Sequence, residues 1–117
     1  LADGGVMATQ ATSPYFAPEA FWCIVETLAS VAGVGQVIQP YHLSVPSFGE
    51  WGFAMLGPQT SDTLTLPPGL KTRFLDDPSL AAMFHFPLDL APRAVEINRL
   101  TDARVSRYYR AGWSTFN

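Results

Sequence analysis

The run Tyr41-His42-Leu43-Ser44-Val45-Pro46-Ser47-Phe48-Gly49-Glu50-Trp51-Gly52-Phe53 reads as a strand, a tight break and a second strand. Tyr41, Leu43 and Val45 alternate with His42 and Ser44, the period-2 pattern of a strand with one apolar face. Pro46 ends the ladder because it has no N–H to donate. Gly49 and Gly52 permit backbone conformations or close approaches that a side chain would block. Strand character returns from Trp51 to Leu56. Strands joined by so short a link run antiparallel. The stretch therefore predicts a hairpin whose rigid aromatic turn is a candidate ligand edge, since loops at strand ends commonly carry function.

Upstream, Val6 to Gln10 is short, apolar and unbroken, as a strand buried on both faces would be. Pro18 and Glu19 start a helix, with proline in the first turn and an acid near the positive end of the dipole. Phe21, Ile24, Val25, Leu28 and Ala32 then recur at helical spacing, and Gly33 and Gly35 stop the helix at about Ala32. Strand, helix and strand make a βα unit of an α/β sheet. Downstream, residues 57–69 read as a surface loop and Leu70 to Leu75 as a short strand or extended segment. Asp77 is expected to cap a helix that has Pro78 at its first position and runs to Phe84. Pro87 and Pro92 bracket a turn. Thr101 is expected to cap a last helix with Val105, Tyr108 and Tyr109 inward and Arg104, Arg107 and Arg110 outward.

Composition narrows the function classes. The chain of 117 residues is 48% hydrophobic and only 15% charged, which fits one modest domain and excludes compositional disorder. No Lys or Arg precedes Lys71, so the first 70 residues carry five acids and no bases, net −5, and the rest carry seven bases and five acids, net +2. That balance argues against a nucleic-acid partner and, in the front half, favours a cationic ligand by field alone. Solvation of five scattered acids accounts for the same balance without any ligand. Cys23 is the single cysteine, in an apolar run, so it reads as buried filler and no Cys metal cluster is available. The two histidines lack metal-ligand spacing, and no Gly-x-Ser-x-Gly motif occurs. No apolar run approaches the ~18 residues of a membrane span.

Taken together, Tyr41-His42-x-x-Val45-Pro46-Ser47-Phe48-Gly49-Glu50-Trp51-Gly52-Phe53 resembles the late hairpin of spermidine synthase-like aminopropyltransferases, especially the branch whose members often carry membrane segments upstream. The tail, with Phe84-His85-Phe86-Pro87-Leu88-Asp89 and Asn98-Arg99-Leu100, resembles the segment that closes these enzymes. The resemblance covers nearly the whole chain and about half of the enzyme. It implies an α/β fold, the C-terminal half of a Rossmann-like, S-adenosylmethionine-methyltransferase-type sheet. Residues 1–117 would then be a single partial domain, with Val6 to Gln10 as the fifth strand and the hairpin supplying the last parallel strand and an antiparallel one inserted beside it. The start on Leu1-Ala2-Asp3 without a methionine is read as a cut inside a larger protein. A cytoplasmic location is implied, with the longer protein attached to a membrane through upstream segments in that branch.

Aminopropyl transfer moves a three-carbon unit from decarboxylated S-adenosylmethionine to a polyamine nitrogen. It needs a carboxylate base, acids for the ammonium groups and aromatic faces for cation–π contact. The resemblance implies that the catalytic aspartate and the donor site lie upstream, so this chain is expected to bind no cofactor and no metal and to be inactive alone. It would supply one wall of the acceptor side: Gln10 at the end of the fifth strand, with Ser47, Phe48 and Trp51 in the turn that faces the polyamine. Glu50 is a candidate partner for an ammonium group, or a solvated hairpin acid. Many soluble members carry Pro-Thr-Tyr there, in a longer turn. Here Ser47 and Phe48 replace Thr and Tyr, so the phenol hydroxyl is absent and the acceptor's identity stays open. His42 reads as a structural hydrogen-bonder and His85, between two phenylalanines, as core or interface.

Two other readings stand beside this one. The same segment could belong to an S-adenosylmethionine-dependent methyltransferase, since the two classes share a fold and fold alone does not fix function. It could also be a non-catalytic α/β interaction module. The expected partners are the upstream half of the same domain, a polyamine in the longer protein, and further copies of the chain pairing through the bare edge of the first strand.

Overall fold

The computed structural model describes residues 4–58, 65–98 and 104–114. In chain order the elements are β1 (Met7–Gln10), α1 (Pro18–Ser30), β2 (Gln36–Val45), β3 (Gly49–Pro58), α2 (Asp77–Met83), a 3-10 turn (Leu88–Leu90) and α3 (Arg104–Ser114). The sheet order is β1-β3-β2. Both pairs are antiparallel, Gln10 facing Phe53 and Val45 facing Gly49. β1 and β2 therefore run parallel to each other, linked by α1, and β3 returns from the hairpin to lie between them. This is a mixed α/β fold with the inserted antiparallel strand that the sequence implies.

Register decides which side chains share a face. Gly52, Ala54 and Leu56 of β3, with Ile38 and His42 of β2, turn toward α1; Trp51, Phe53 and Met55, with Tyr41, Leu43 and Val45, turn away. Ala11, Phe21, Trp22, Val25 and Ala54 form the core, joined by Ile24, Leu28, Ile38, Phe86 and Val95. Phe21 is completely buried, worth about 1.5–3 kcal/mol for such a side chain.

α1 is covered on its far side as well. The indole N–H of Trp22 donates to the carbonyl of Leu90 (3.1 Å), and the Cys23 thiol reaches the carbonyl of Glu96 (3.1 Å). Thr27 Oγ1 accepts from the amide of Asn98 (2.7 Å), whose Oδ1 accepts from the amide of Val105 at the start of α3 (3.1 Å). The loop before α1 is ordered by Ser13, which is fully buried and whose hydroxyl accepts from the amides of Tyr15 and Phe16.

Several local expectations shift. β2 begins at Gln36, ahead of Tyr41, with Pro40 inside it. β2 is the outer strand, where alternate N–H groups face away from the ladder, so proline is tolerated. α1 ends at Ser30 rather than Ala32. Asp76, not Asp77, caps α2, accepting from the Ser79 amide (2.8 Å), and hydrogen bonding to the Ser79 hydroxyl first and to its amide second holds the carboxyl below the usual range. Asp77 is the first helical residue and accepts instead from the amide of Leu66. Residues 70–75 form no strand, and their one assigned feature is a bend at Arg73 and Phe74. On α3, Tyr109 is exposed and Arg104 is half-buried, ion-paired to Glu96 at 2.6 Å, because the tail strap lies along that side. Thr101, most of the first turn and residues 59–64 of the long loop lie outside the described residues.

A Cβ at Gly52 would lie 2.4 Å from Phe21 Cε2 and 2.9 Å from the carbonyl oxygen of Thr12. Gly52→Ala is expected to cost about 1–3 kcal/mol, as overpacked cores do, read as a lower denaturant midpoint with an unchanged slope; an unchanged midpoint would refute this packing.

Candidate functional site

At one end of the sheet Gln10, Val45, Phe48, Trp51 and Phe53 line a cleft of about 280 Å³. Three elements meet there: the last residue of β1, the end of β2, and the first turn of β3 with the loop before it. The period-2 alternation puts Trp51 and Phe53 on the face away from α1, and the register brings Gln10 beside Phe53. The rings of Phe48 and Trp51 stand 5.9 Å apart, tilted by 60°, and Phe48 is 64% exposed. The cleft thus offers aromatic faces and one side-chain amide. No charged side chain of the described residues lines it.

The turn is built tightly. The amide of Phe48 donates to the carbonyl of Val45 (3.0 Å), so Pro46 and Ser47 are the central residues of a β-turn. Ser47 has φ +74, the left-handed value that a type II turn needs at its third position, with proline before it. Gly49 follows at φ +80. Thr12, two residues after Gln10, also has positive φ, +59, and its Oγ1 is buried without a hydrogen-bond partner among the described residues. Ser47, in the turn between the lining residues Val45 and Phe48, is thus a non-glycine residue held in a costly conformation, as functional sites often hold them.

Of the five site residues read from sequence, Gln10, Phe48 and Trp51 line the cleft together. Ser47 sits in the turn at its rim, exposed. Glu50 lies on the opposite face. Its Oε1 meets Nδ1 of His42, its side chain is 27% exposed, and the Nε2 of the same imidazole contacts the carbonyl oxygen of His85 at 2.5 Å. The His42 ring also packs on Phe86 with centroids 4.5 Å apart. Glu50 is therefore neither a solvated hairpin acid nor a member of the cleft. It holds the imidazole that ties the residues after α2 across the outer edge of β2. Val45 and Phe53 complete the cleft, and sequence reading passed over them although their shared parity with Trp51 was available. Among the described residues no cluster of His, Cys, Asp and Glu could hold a metal ion, and no helix is long and apolar enough to cross a membrane.

No family model matches the chain. Curated relatives do. Polyamine aminopropyltransferase 2 of Ralstonia nicotianae is 43% identical over 116 residues, 97% of this chain and 22% of that protein. This chain is a homologue of the polyamine aminopropyltransferases. The aminopropyltransferases of Corynebacterium efficiens, 42% identical over 113 residues, and Mycobacterium tuberculosis, 39% identical over 118, are each matched by 97% of the chain and over 21% of their own length. The chain spans about a fifth of the length of the curated aminopropyltransferases it matches.

A serine in the left-handed region costs about 1–2 kcal/mol, while glycine gives back part of that through the unfolded chain. Ser47→Gly is expected to stabilise the hairpin by about 0.5–1 kcal/mol and Ser47→Val to destabilise it, in equilibrium unfolding. A stabilising valine would show that Ser47 does not hold this turn.

Proposed function

We propose that this chain is the acceptor-side wall of an aminopropyltransferase of the spermidine synthase type, the C-terminal portion of a longer protein that transfers an aminopropyl group from decarboxylated S-adenosylmethionine to a polyamine. What carries the reading is similarity along 97% of the chain to proteins named polyamine aminopropyltransferase. The cleft supports it. A polyamine needs aromatic faces for its methylenes and ammonium groups, and Phe48, Trp51 and Phe53 supply them. The side-chain carbonyl of Gln10 can accept a hydrogen bond from an ammonium group. Because no carboxylate of the described residues lines the cleft, the acids that balance the polyamine, and the base that deprotonates the attacking nitrogen, are assigned to the upstream half of the domain. The reaction's cytoplasmic setting belongs to the same proposal.

Assembly is the second part. β1 pairs only with β3 among the described residues, leaving its other edge open. We assign that edge to the upstream half of the domain. When the 117-residue chain is alone the edge is a template for another copy, and light scattering at micromolar concentration should give a mass above the monomer; a monomeric mass would remove this part.

In the intact protein, Trp51→Ala is expected to raise the KM for the amine about tenfold or more, as loss of a desolvated cation–π contact does, with the KM of the sulfonium donor unchanged. Glu50→Gln, on the other face, should lower stability and leave the amine KM in place. Mass spectrometry of the nucleoside product decides the chemistry. Methylthioadenosine formed only with the decarboxylated donor and an amine is the expected result. S-adenosylhomocysteine formed from S-adenosylmethionine would make the longer protein a methyltransferase instead.

A further inference from the structure

A second cavity, also of about 280 Å³, shares no lining residue with the acceptor cleft. It opens between the loop before α1, the first turn of α1, the strap after the 3-10 turn and the end of α3. Its walls include Tyr15, Phe16, Glu19, Arg93, Tyr108 and Gly112. The rings are fixed from behind. The amides of Tyr15 and Phe16 donate to the buried Ser13 hydroxyl, Phe16 stacks on Trp113 at 4.9 Å, and the Tyr108 hydroxyl accepts from the amide of Glu96. α3 comes this close because Gly112 has no side chain; a Cβ there would lie 2.8 Å from Ala17 Cα.

The charges in this cavity are what distinguish it. Glu19 and Arg93 both line it, and neither forms an ion pair with the other or with any described residue. A carboxylate and a guanidinium in one aromatic-walled space, not closed onto each other, are arranged for a ligand that carries both opposite charges. A purely cationic ligand such as a polyamine would meet Arg93, and a purely anionic one would meet Glu19, so each is disfavoured by a like charge. A zwitterion satisfies both, its ammonium on Glu19 and its carboxylate on the planar fork of Arg93. The volume, just below the usual range for drug-sized ligands, suits a small molecule, and the aromatic walls suit an apolar side chain.

We propose that this cavity binds a free α-amino acid with an apolar side chain, at a site separate from the acceptor cleft. The inference does not rest on the transfer reaction. Phe16 is also the contact between this cavity and the hairpin, because its Cε2 would lie 3.3 Å from a Cβ placed on Gly49.

The test uses the intact protein labelled with 5-fluorotryptophan, with the Trp113 resonance assigned by Trp113→Phe. L-leucine, L-methionine and L-phenylalanine are titrated to about 20 mM, and leucine is compared with its two halves, 4-methylpentanoate and 3-methylbutylamine. At least one amino acid should shift the Trp113 signal saturably, and each half-molecule should bind about tenfold more weakly or worse. Glu19→Gln and Arg93→Gln, both at exposed positions and checked for an unchanged melting temperature, should each weaken amino-acid binding by about the same factor. No saturable shift from any of the three amino acids overturns the proposal. So does equal binding by either half, or binding that ignores both substitutions. The readout is binding and not transfer activity, so a protein inactive in aminopropyl transfer still decides between these outcomes.

Discussion

The contact of Phe21 with the bare backbone of Gly52 sets the distance between α1 and the sheet. A Cβ at position 52 would lie 2.4 Å from the Phe21 ring, so the ring or the strand would have to shift, and interiors packed like crystals have little slack for that. From that contact the rest follows. The Gly52 amide donates to the carbonyl of Thr12 (2.7 Å), and the Ala11 amide donates to the carbonyl of Gly52 (2.9 Å). The same glycine therefore locks the end of β1 to β3 and carries the helix above them. Gln10 is held where it is by this lock.

The hairpin separates two tasks by the parity of its residues. Odd positions of β3 face the cleft and even positions face the core. Glu50 and Trp51 are neighbours in sequence, yet one grips His42 on the core side while the other lines the aromatic cleft. An alternating strand can in this way anchor a turn from behind with a polar pair while presenting only rings and an amide in front. The strap that follows α2 uses the anchor. Phe84 lies against Tyr41 on one face (5.4 Å between centroids) and Phe86 against His42 on the other, so the chain passes around the outer edge of β2. An outer strand covered in this manner is a poor template for unwanted pairing.

α1 departs from the usual surface helix. Phe21 and Val25 form the stripe facing the sheet, but Trp22 and Cys23, off that stripe, are equally buried because the tail and α3 lie over them. The helix is the middle layer of three. Its first turn and the loop before it also wall the second cavity, so one segment joins the hairpin end of the sheet to the space that holds Glu19 and Arg93.

The sequence by itself determined what depends on neighbours within a few residues. Alternation from Tyr41 to Val45, the stop at Pro46, the restart after Gly49 and the helical spacing from Phe21 to Leu28 each follow from backbone sterics and one-sided burial, and each is an element of the structure. The grouping of Gln10, Phe48 and Trp51 was legible as well, through a family resemblance that carries spatial information no local pattern holds. Tertiary structure alone decided the rest. Asp76 and Asp77 are both good helix caps, and only the geometry of the preceding chain selects Asp76. Glu50 looked free because its partner, His42, comes within reach only once β2 and β3 are paired. Glu19 and Arg93 are 74 positions apart, and nothing local relates them. Their meeting at one cavity is a consequence of packing the tail onto α1, an interaction between distant parts of the chain that no periodicity records.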